Sequence, residues 1–289
     1  MRSAWAATQR GDFQTALRDY NQAKSLADRC LDQQQIDSAA LNVAMVYIQM
    51  GEPKKGEEGL REILLRTLDD KLAFTAAYNL ASSLRKQGRN ERALAYARRA
   101  YERARKMSTP DHLSQAHNLL GNIFLSQSYL DDALSEYETA LSIRDAQNAD
   151  TRYSRAILLE NLGYCLLLKQ RLDEGLLKIQ QALSLAKEVD DHRCRVECLQ
   201  DLCYGLLLKG EYEEAIARGE TALVEAQEAD YKDIAENCHY LLGELGTRTD
   251  NLEARDHHFR CLQALHPELP FLKDFLCAVD VTRIITLKR

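Results

Sequence analysis

The sequence predicts an all-α protein, a solenoid of about seven stacked helical hairpins followed by a C-terminal capping helix. Apolar residues recur at helical spacing over nearly the whole chain, and one layout of two helices returns about every 40 residues. The composition agrees, because 45% of the 289 residues are hydrophobic and only 4 prolines and 13 glycines interrupt the helical pattern. A single hairpin cannot bury its apolar faces, so the hairpins are expected to stack.

The repeat is defined by the residue that ends the first helix of each hairpin. Successive markers are 40, 37, 40, 42, 40 and 40 residues apart. An apolar helical run precedes each marker, and a polar turn follows it, then a second helix with small residues at fixed offsets, such as Ala133 and Ala140. The seven markers are Gly11, Gly51, Gly88, Ser128, Gln170, Gly210 and Asp250.

Small residues inside strong helical patterns indicate where the two helices of a hairpin cross. Gly121, Gly163 and Ala81 occupy this position, and a residue without a bulky side chain lets two helix axes approach to about 8–9 Å. A glycine there costs roughly 1 kcal/mol of helix propensity, which closer packing offsets. Tyr137 and Phe124 are expected to fill the space beside Gly121.

The two ends of the chain differ from its middle. The first helix is short and includes the sole tryptophan, so either Trp5 caps a shortened repeat or the chain is the carboxyl-terminal part of something longer. Helical periodicity continues after Pro267, which places the solenoid at 1–267 and a helical cap at 268–289. The apolar final segment, 281–289, is expected to pack on this cap or to dock on a partner.

The layout resembles the tetratricopeptide repeat (TPR), whose pattern is Trp-x2-Leu-Gly-x2-Tyr, then Ala-x3-Phe, then Pro. The resemblance extends from about residue 3 to about residue 267 and is that of a long-period variant, with a period near 40 instead of 34. The first-helix tryptophan is absent throughout, and Gly175 stands where alanine is usual. The resemblance implies a right-handed superhelix whose first helices line a concave groove. The matching residues are Leu120, Gly121, Phe124, Ala133 and Tyr137 in the fourth hairpin, Leu162, Gly163 and Leu166 in the fifth, Ala16 and Tyr20 in the first, and Leu242, Gly243, Phe259 and Pro267 in the seventh.

Charge and hydropathy exclude several classes of function. The net charge of −6 and the isoelectric point near 5.7 argue against direct binding of nucleic acid or of an anionic membrane. The sequence has no run of about 18 apolar residues and does not begin with the apolar segment of a secretory signal. A cytoplasmic location is therefore expected.

The eight cysteines are expected to be reduced and to serve as small core residues. The best candidate for a metal site is the stretch HRCRVEC, in which Cys194 and Cys198 are one helical turn apart. Zinc sites usually show tighter paired spacing, so neither a metal nor a cofactor is predicted.

Patterns typical of catalytic sites are missing from the sequence. It contains no Gly-rich phosphate loop, no Gly-x-Ser-x-Gly and no His-Glu-x-x-His, and the candidate carboxylates lie on polar helix faces. The chain is therefore predicted not to be an enzyme.

Two stretches carry opposite charge. Residues 85–106 include nine Lys or Arg and two Glu, whereas residues 211–230 include seven acidic residues and one Arg. Such runs are usually solvated helix faces. The opposite signs could also orient a partner end to end or let copies of the chain associate head to tail.

The candidate binding residues lie on first helices beside the core stripe. Asparagine is a mediocre helix former, so its return at equivalent positions suggests a role for its amide, which offers both a donor and an acceptor to the backbone of an extended peptide. Alternatively, some of these amides satisfy neighbouring groups inside the solenoid. The predicted peptide-binding residues are Asn42, Asn79, Asn118, Asn122, Asn161, Tyr78, Arg85, Lys86, Tyr164, Tyr204 and Tyr240.

Two functions fit this layout. The leading hypothesis is a protein–protein interaction scaffold that binds a peptide or an extended partner segment in the concave groove. The alternative is the sensor or regulatory part of a larger bacterial-type signalling or transcription-control protein.

Overall fold

The structure, a computed structural model, describes residues 1–147, 150–282 and 287, without the side chain of Gln9. Within these residues it consists of fifteen α-helices and the turns that join them, and it contains no β-strand. The all-α prediction is confirmed. In chain order the helices are α1 (Arg2–Gln9), α2 (Phe13–Arg29), α3 (Gln33–Gln49), α4 (Pro53–Arg66), α5 (Asp70–Lys86), α6 (Asn90–Met107), α7 (Pro110–Ser126), α8 (Leu130–Asp145), α9 (Arg152–Leu168), α10 (Leu172–Glu188), α11 (His192–Lys209), α12 (Tyr212–Glu228), α13 (Lys232–Arg248), α14 (Leu252–Leu265) and α15 (Leu272–Ala278).

The predicted repeat register is confirmed by the backbone at the end of each first helix. All seven markers have positive φ, between 56° and 87°, including the non-glycine residues Ser128, Gln170 and Asp250. A left-handed residue ends a helix and lets the chain turn into the next one. Positive φ also occurs after second helices, at Leu31, Ser108, Asp190 and Asp230. Hairpins therefore pair odd-numbered helices with the even-numbered helices that follow, from α1–α2 to α13–α14.

Side-chain caps fix where several helices begin. The carboxylate of Asp191, for example, accepts a hydrogen bond from the backbone N–H of Cys194, 3.1 Å away, at the start of α11. Such a bond satisfies one of the amide groups that have no partner within the first turn. Asp12, Asp32, Asp69 and Asn251 do the same for α2, α3, α5 and α14.

The small residues mark close helix crossings, as predicted. A Cβ added to Gly121 would lie 2.6 Å from the ring of Tyr137, whose side chain is fully buried. A Cβ on Gly163 would lie 2.9 Å from the carbonyl oxygen of Gly175, and a Cβ on Gly175 would lie the same distance from the carbonyl oxygen of Gly163. Glycine replaces the usual alanine in the fifth hairpin because the backbones of α9 and α10 meet there.

The chain divides into two compact units. Unit 1 is Met1–Ile143 and unit 2 is Arg144–Arg289. Helix α15 confirms that helical structure resumes after Pro267, and it packs against α14. The division into a solenoid over 1–267 and a cap over 268–289 stays a prediction. In α1, Trp5 is 61% exposed.

The cysteines are free thiols, but they do not share one environment. Five of them are buried, whereas Cys261 and Cys277 are half-buried and Cys30 is exposed at the end of α2. The prediction that they are core residues is wrong for Cys30, because it follows the last turn of α2 instead of facing a neighbouring helix.

None of the described helices is long and apolar enough to cross a membrane.

Candidate functional site

Three equivalent positions in the first helices of unit 2 define a surface that we call the tyrosine face. Tyr164 in α9, Tyr204 in α11 and Glu244 in α13 follow one another at intervals of 40 residues. Tyr240 lies one helical turn before Glu244. The rings of Tyr164 and Tyr204 are neighbours, with centroids 6.0 Å apart. The repeat register thus places polar side-chain ends on three successive hairpins.

The tyrosine face is covered by residues of the segment that follows α15, residues 279–289, of which the structure describes 279–282 and 287 and shows them to be non-helical. Thr282 and Leu287 are only 2% and 3% exposed, and Tyr204 and Tyr240 are 1% and 3% exposed. The three predicted tyrosines therefore differ from the expectation of an open groove, because residues of the same chain lie against them. The segment was expected to pack on the cap or to dock on a partner, and its described residues lie against first helices.

Thr282 is held by three side chains of the tyrosine face. The hydroxyl of Tyr204 donates to the carbonyl oxygen of Thr282 at 3.1 Å. The hydroxyl of Thr282 donates to Oε2 of Glu244 at 3.2 Å, and the hydroxyl of Tyr240 lies 3.5 Å from Thr282 Oγ1, at the outer limit for a hydrogen bond. Both the backbone and the side chain of Thr282 are therefore bound by α11 and α13.

Two further residues of the segment contact first helices. The backbone N–H of Leu287 donates to the hydroxyl oxygen of Tyr164 at 2.8 Å. Asp280 pairs with Arg248, in the last turn of α13, with 2.5 Å between Oδ2 and Nη2. Asp280 and Thr282 therefore contact α13, and Leu287, later in the chain, contacts α9, which belongs to an earlier hairpin.

Burial raises the pKa values of these groups. It raises the pKa of Tyr204 to about 12, with a smaller contribution from Asp201, and it raises the pKa of Tyr240 as well. Burial also raises the pKa of Glu244, although the hydrogen bond from Thr282 opposes it. A phenol with a raised pKa stays protonated at neutral pH, so Tyr204 remains a donor to the Thr282 carbonyl.

The contacts between the tyrosine face and the segment are of two kinds, those with backbone groups and those with side chains. The hydroxyls of Tyr164 and Tyr204 bind a backbone N–H and a backbone carbonyl, which every peptide offers. The carboxylate of Glu244 accepts from the Thr282 hydroxyl, and Arg248 pairs with the Asp280 carboxylate. These two contacts therefore depend on which side chains the segment carries. Two of the contacts on the tyrosine face thus involve backbone groups of the segment, and two involve its side chains.

The predicted asparagines are partly engaged by their own repeats. Nδ2 of Asn42 and of Asn79 donates to the carbonyl oxygen four residues earlier, at 3.0 and 2.9 Å. Oδ1 of Asn122 accepts from the hydroxyl of Tyr137 at 2.7 Å. Asn161 is 7% exposed, whereas Asn118 is half-buried. These bonds fit the alternative that the amides satisfy neighbouring groups, and a ladder that grips a peptide stays a prediction.

The other three predicted residues lie on α5 in unit 1. The ring of Tyr78 is half-buried against Phe74, with centroids 5.8 Å apart, and burial raises its pKa while Arg85 opposes that shift. Arg85 is half-buried and Lys86 is exposed. Their contact with a partner is likewise still a prediction.

The structure adds residues that the sequence analysis missed. Asp201 is the register equivalent of Asn161, 40 residues later, and it is fully buried. Its Oδ1 accepts from Gln200 Nε2 at 3.1 Å, and Gln200 Oε1 accepts from Asn237 Nδ2 at 2.8 Å. The repeat register could have identified Asp201 and Glu244, but no repeated pattern includes Thr282.

The two charged stretches form ion pairs with neighbouring helices. In α6, Arg103 and Lys106 both pair with Asp70, at 2.6 and 2.8 Å. In the acidic stretch, Glu225 pairs with Arg195 at 2.9 Å. These contacts are typical of solvated helix faces, and a role in orienting partners stays a prediction.

Residues 72–146, which span α5 to α8 and about a quarter of the chain, match the tetratricopeptide repeat family. The comparison with curated proteins gives no match.

Solved structures show the same fold over nearly the whole chain. The apo form of RapI aligns with a TM-score of 0.73 and 14% identity, over 93% of this chain and 96% of that one. The Rap conjugation gene regulator of plasmid pLS20, in complex with the Phr* peptide, aligns with a TM-score of 0.65 and 16% identity, over 91% of this chain and 73% of that one. A Pyrococcus horikoshii signal transduction ATPase with numerous domains (STAND), which has a tetratricopeptide repeat sensor, aligns with a TM-score of 0.64 and 17% identity, over 88% of this chain and 41% of that one.

Proposed function

We propose that this tetratricopeptide-repeat protein is an interaction scaffold that binds an extended segment of a partner protein across the first helices of unit 2. The observation that carries the proposal is the tyrosine face, where Tyr164, Tyr204 and Glu244 each hydrogen-bond to Thr282 or Leu287, two described residues that lie outside any helix. Repeat proteins present equivalent side chains at regular intervals along a stack, which suits an extended ligand with its own regular spacing.

The fold likeness supports binding of a peptide. The pLS20 regulator has the same fold and was solved with a bound peptide. The STAND protein has a tetratricopeptide repeat sensor, which favours the second candidate, that this chain is the sensor or regulatory part of a signalling or transcription-control protein. Both candidates give this chain a binding role and assign it no chemical step.

A second surface is proposed on unit 1. The predicted residues of its first helices are Asn42, Asn79, Asn118, Asn122, Tyr78, Arg85 and Lys86. Because an amide has two N–H donors and one acceptor, the bonds of Asn42 and Asn79 to their own helices use only part of their capacity. The proposal for unit 2 does not depend on this surface.

The proposal predicts that Tyr204→Phe weakens the binding of a selected peptide about fivefold. The substitution removes only the hydroxyl, and the loss of one hydrogen bond to a peptide carbonyl costs about 1 kcal/mol. The peptide would be selected from a displayed library against the full chain carrying Asp280→Ala and Thr282→Ala. The two substitutions remove the Asp280–Arg248 ion pair and the Thr282–Glu244 hydrogen bond, so the chain's own segment competes less with the selected peptide. Affinity is measured by calorimetry.

Tyr96→Phe is the matched control, because it makes the same chemical change on a second helix of unit 1, α6. It should leave the affinity unchanged. A set of selected peptides whose affinities do not respond to Tyr204→Phe, in a chain with unchanged helicity, would place the binding elsewhere and refute the proposal.

A further inference from the structure

We propose that the segment after α15 is an intramolecular ligand of the tyrosine face, and that a partner segment of similar chemistry must displace it. This inference rests on the proposed function, and it adds the regulation of the site and the class of its partner. The described residues of the segment lie outside any helix, yet they are buried. Val281, Thr282 and Leu287 are at most 9% exposed.

The segment is bound through matched polar groups as well as apolar burial. The carbonyl oxygen of Thr282 accepts from Tyr204, and its hydroxyl donates to Glu244. The backbone N–H of Thr282 donates to Oδ1 of Asp280, which belongs to the same segment, at 3.0 Å. Thr282 thus has its backbone donor, backbone acceptor and side chain all engaged. Satisfied buried polar groups favour one register of the segment over its neighbours, because a shift by one residue would leave donors and acceptors unpaired.

Charge adds a second point of selection. Asp280 lies two residues before Thr282 and pairs with Arg248, while its other oxygen accepts the Thr282 N–H. The same α13 thus provides a cation for a carboxylate and, one turn earlier, a carboxylate for a hydroxyl. The partner class that fits is an extended segment with an acidic residue two positions before a serine or threonine, and an apolar residue further on at the place of Leu287.

An attached segment competes strongly even when its contacts are weak. A short flexible tether holds a ligand at an effective concentration of about 1 mM. If the free segment bound with a dissociation constant of about 100 µM, its attached form would fill about 90% of the sites and weaken a partner's apparent affinity about tenfold. A partner must therefore be present at a higher concentration, or bind more tightly, than it would need for a chain without the segment.

The test uses a fluorescein-labelled peptide with the sequence of residues 278–289 as the probe, titrated against full-length chains by fluorescence anisotropy. The released chain carries Asp280→Ala and Thr282→Ala, which remove the Asp280–Arg248 ion pair and the Thr282–Glu244 hydrogen bond without changing a residue of α9, α11 or α13. The matched control carries Asp274→Ala and Thr221→Ala, an acidic residue and a threonine that are both exposed in unit 2.

The expected result is that the released chain binds the probe about tenfold more tightly than wild type, while the control binds it like wild type. A probe in which the residues equivalent to Asp280 and Thr282 are changed to alanine should lose this binding. If the double substitution disturbs folding, Asp280→Asn alone, which removes only the charge that Arg248 pairs with, should tighten the binding of the probe about threefold.

Two results would overturn the inference. Equal affinity of wild type and the released chain for the probe would mean that the segment does not compete for this surface. Binding of a library-selected peptide to the released chain without binding of the probe would mean that the segment is not a ligand, although the proposed function would stand. Failure of both peptides to bind would refute the proposed function as well.

Discussion

Replacing Gly163 with leucine is expected to lower the free energy of unfolding by about 3 kcal/mol or more. The new Cβ would lie 2.5 Å from Cγ1 of Ile179 and 2.9 Å from the carbonyl oxygen of Gly175. The second contact is with backbone, so a change of rotamer cannot relieve it, and α9 and α10 would have to separate. Leucine is the better helix former by roughly 1 kcal/mol, which recovers only part of this loss.

The measurement is urea denaturation followed by far-UV circular dichroism. Gln180→Leu is the matched control, because it adds the same side chain at an exposed position of α10. A stability loss for Gly163→Leu no larger than for the control would contradict the close crossing of α9 and α10.

Removing both arginines that face Glu57 is expected to cost about 3 kcal/mol of stability. Glu57 in α4 is 1% exposed, and its Oε2 accepts from Arg61 at 3.0 Å and from Arg89 at 3.3 Å. Ser83 and Gln87 donate to the other oxygen, at 3.3 and 2.5 Å. Arg61→Met with Arg89→Met would leave a buried carboxylate with neutral donors only. A charge in a site of low polarity is costly without a counter-charge.

A triple variant separates the cost of the unpaired charge from the loss of packing. Adding Glu57→Met to the two arginine substitutions removes the charge, and it should recover most of the lost stability in thermal melts. The opposite result, a triple variant less stable than the double one, would show that Glu57 is stabilised without its arginines.

The repeat architecture was predictable because it depends on local rules. A residue with positive φ must follow each first helix, and the sequence marks it with glycine at four sites and with Ser128, Gln170 and Asp250 at the others. The crossing glycines could be predicted for a similar reason, since only a minimal side chain fits where Gly163 faces Gly175.

The candidate site could be predicted only in part. Tyr164 and Tyr204 were identified from their helices, but Glu244 was missed because a different residue type occupies the same register position. The contacts of Thr282 had no sequence signal, since they depend on where the chain lies after α15 ends. The asparagine amides fold back onto carbonyls one turn earlier at Asn42 and Asn79, and this local competition cannot be read from spacing.

Photocrosslinking of a selected peptide tests the central claim, that an extended segment binds across α9, α11 and α13, most directly. One position of the peptide would carry p-benzoylphenylalanine, and the released full-length chain would be irradiated with it, digested and analysed by mass spectrometry. We predict that crosslinks fall within residues 152–168, 192–209 and 232–248, and that excess unlabelled peptide suppresses them. Crosslinks confined to second helices α10, α12 and α14, or to residues 1–143, would contradict the claim.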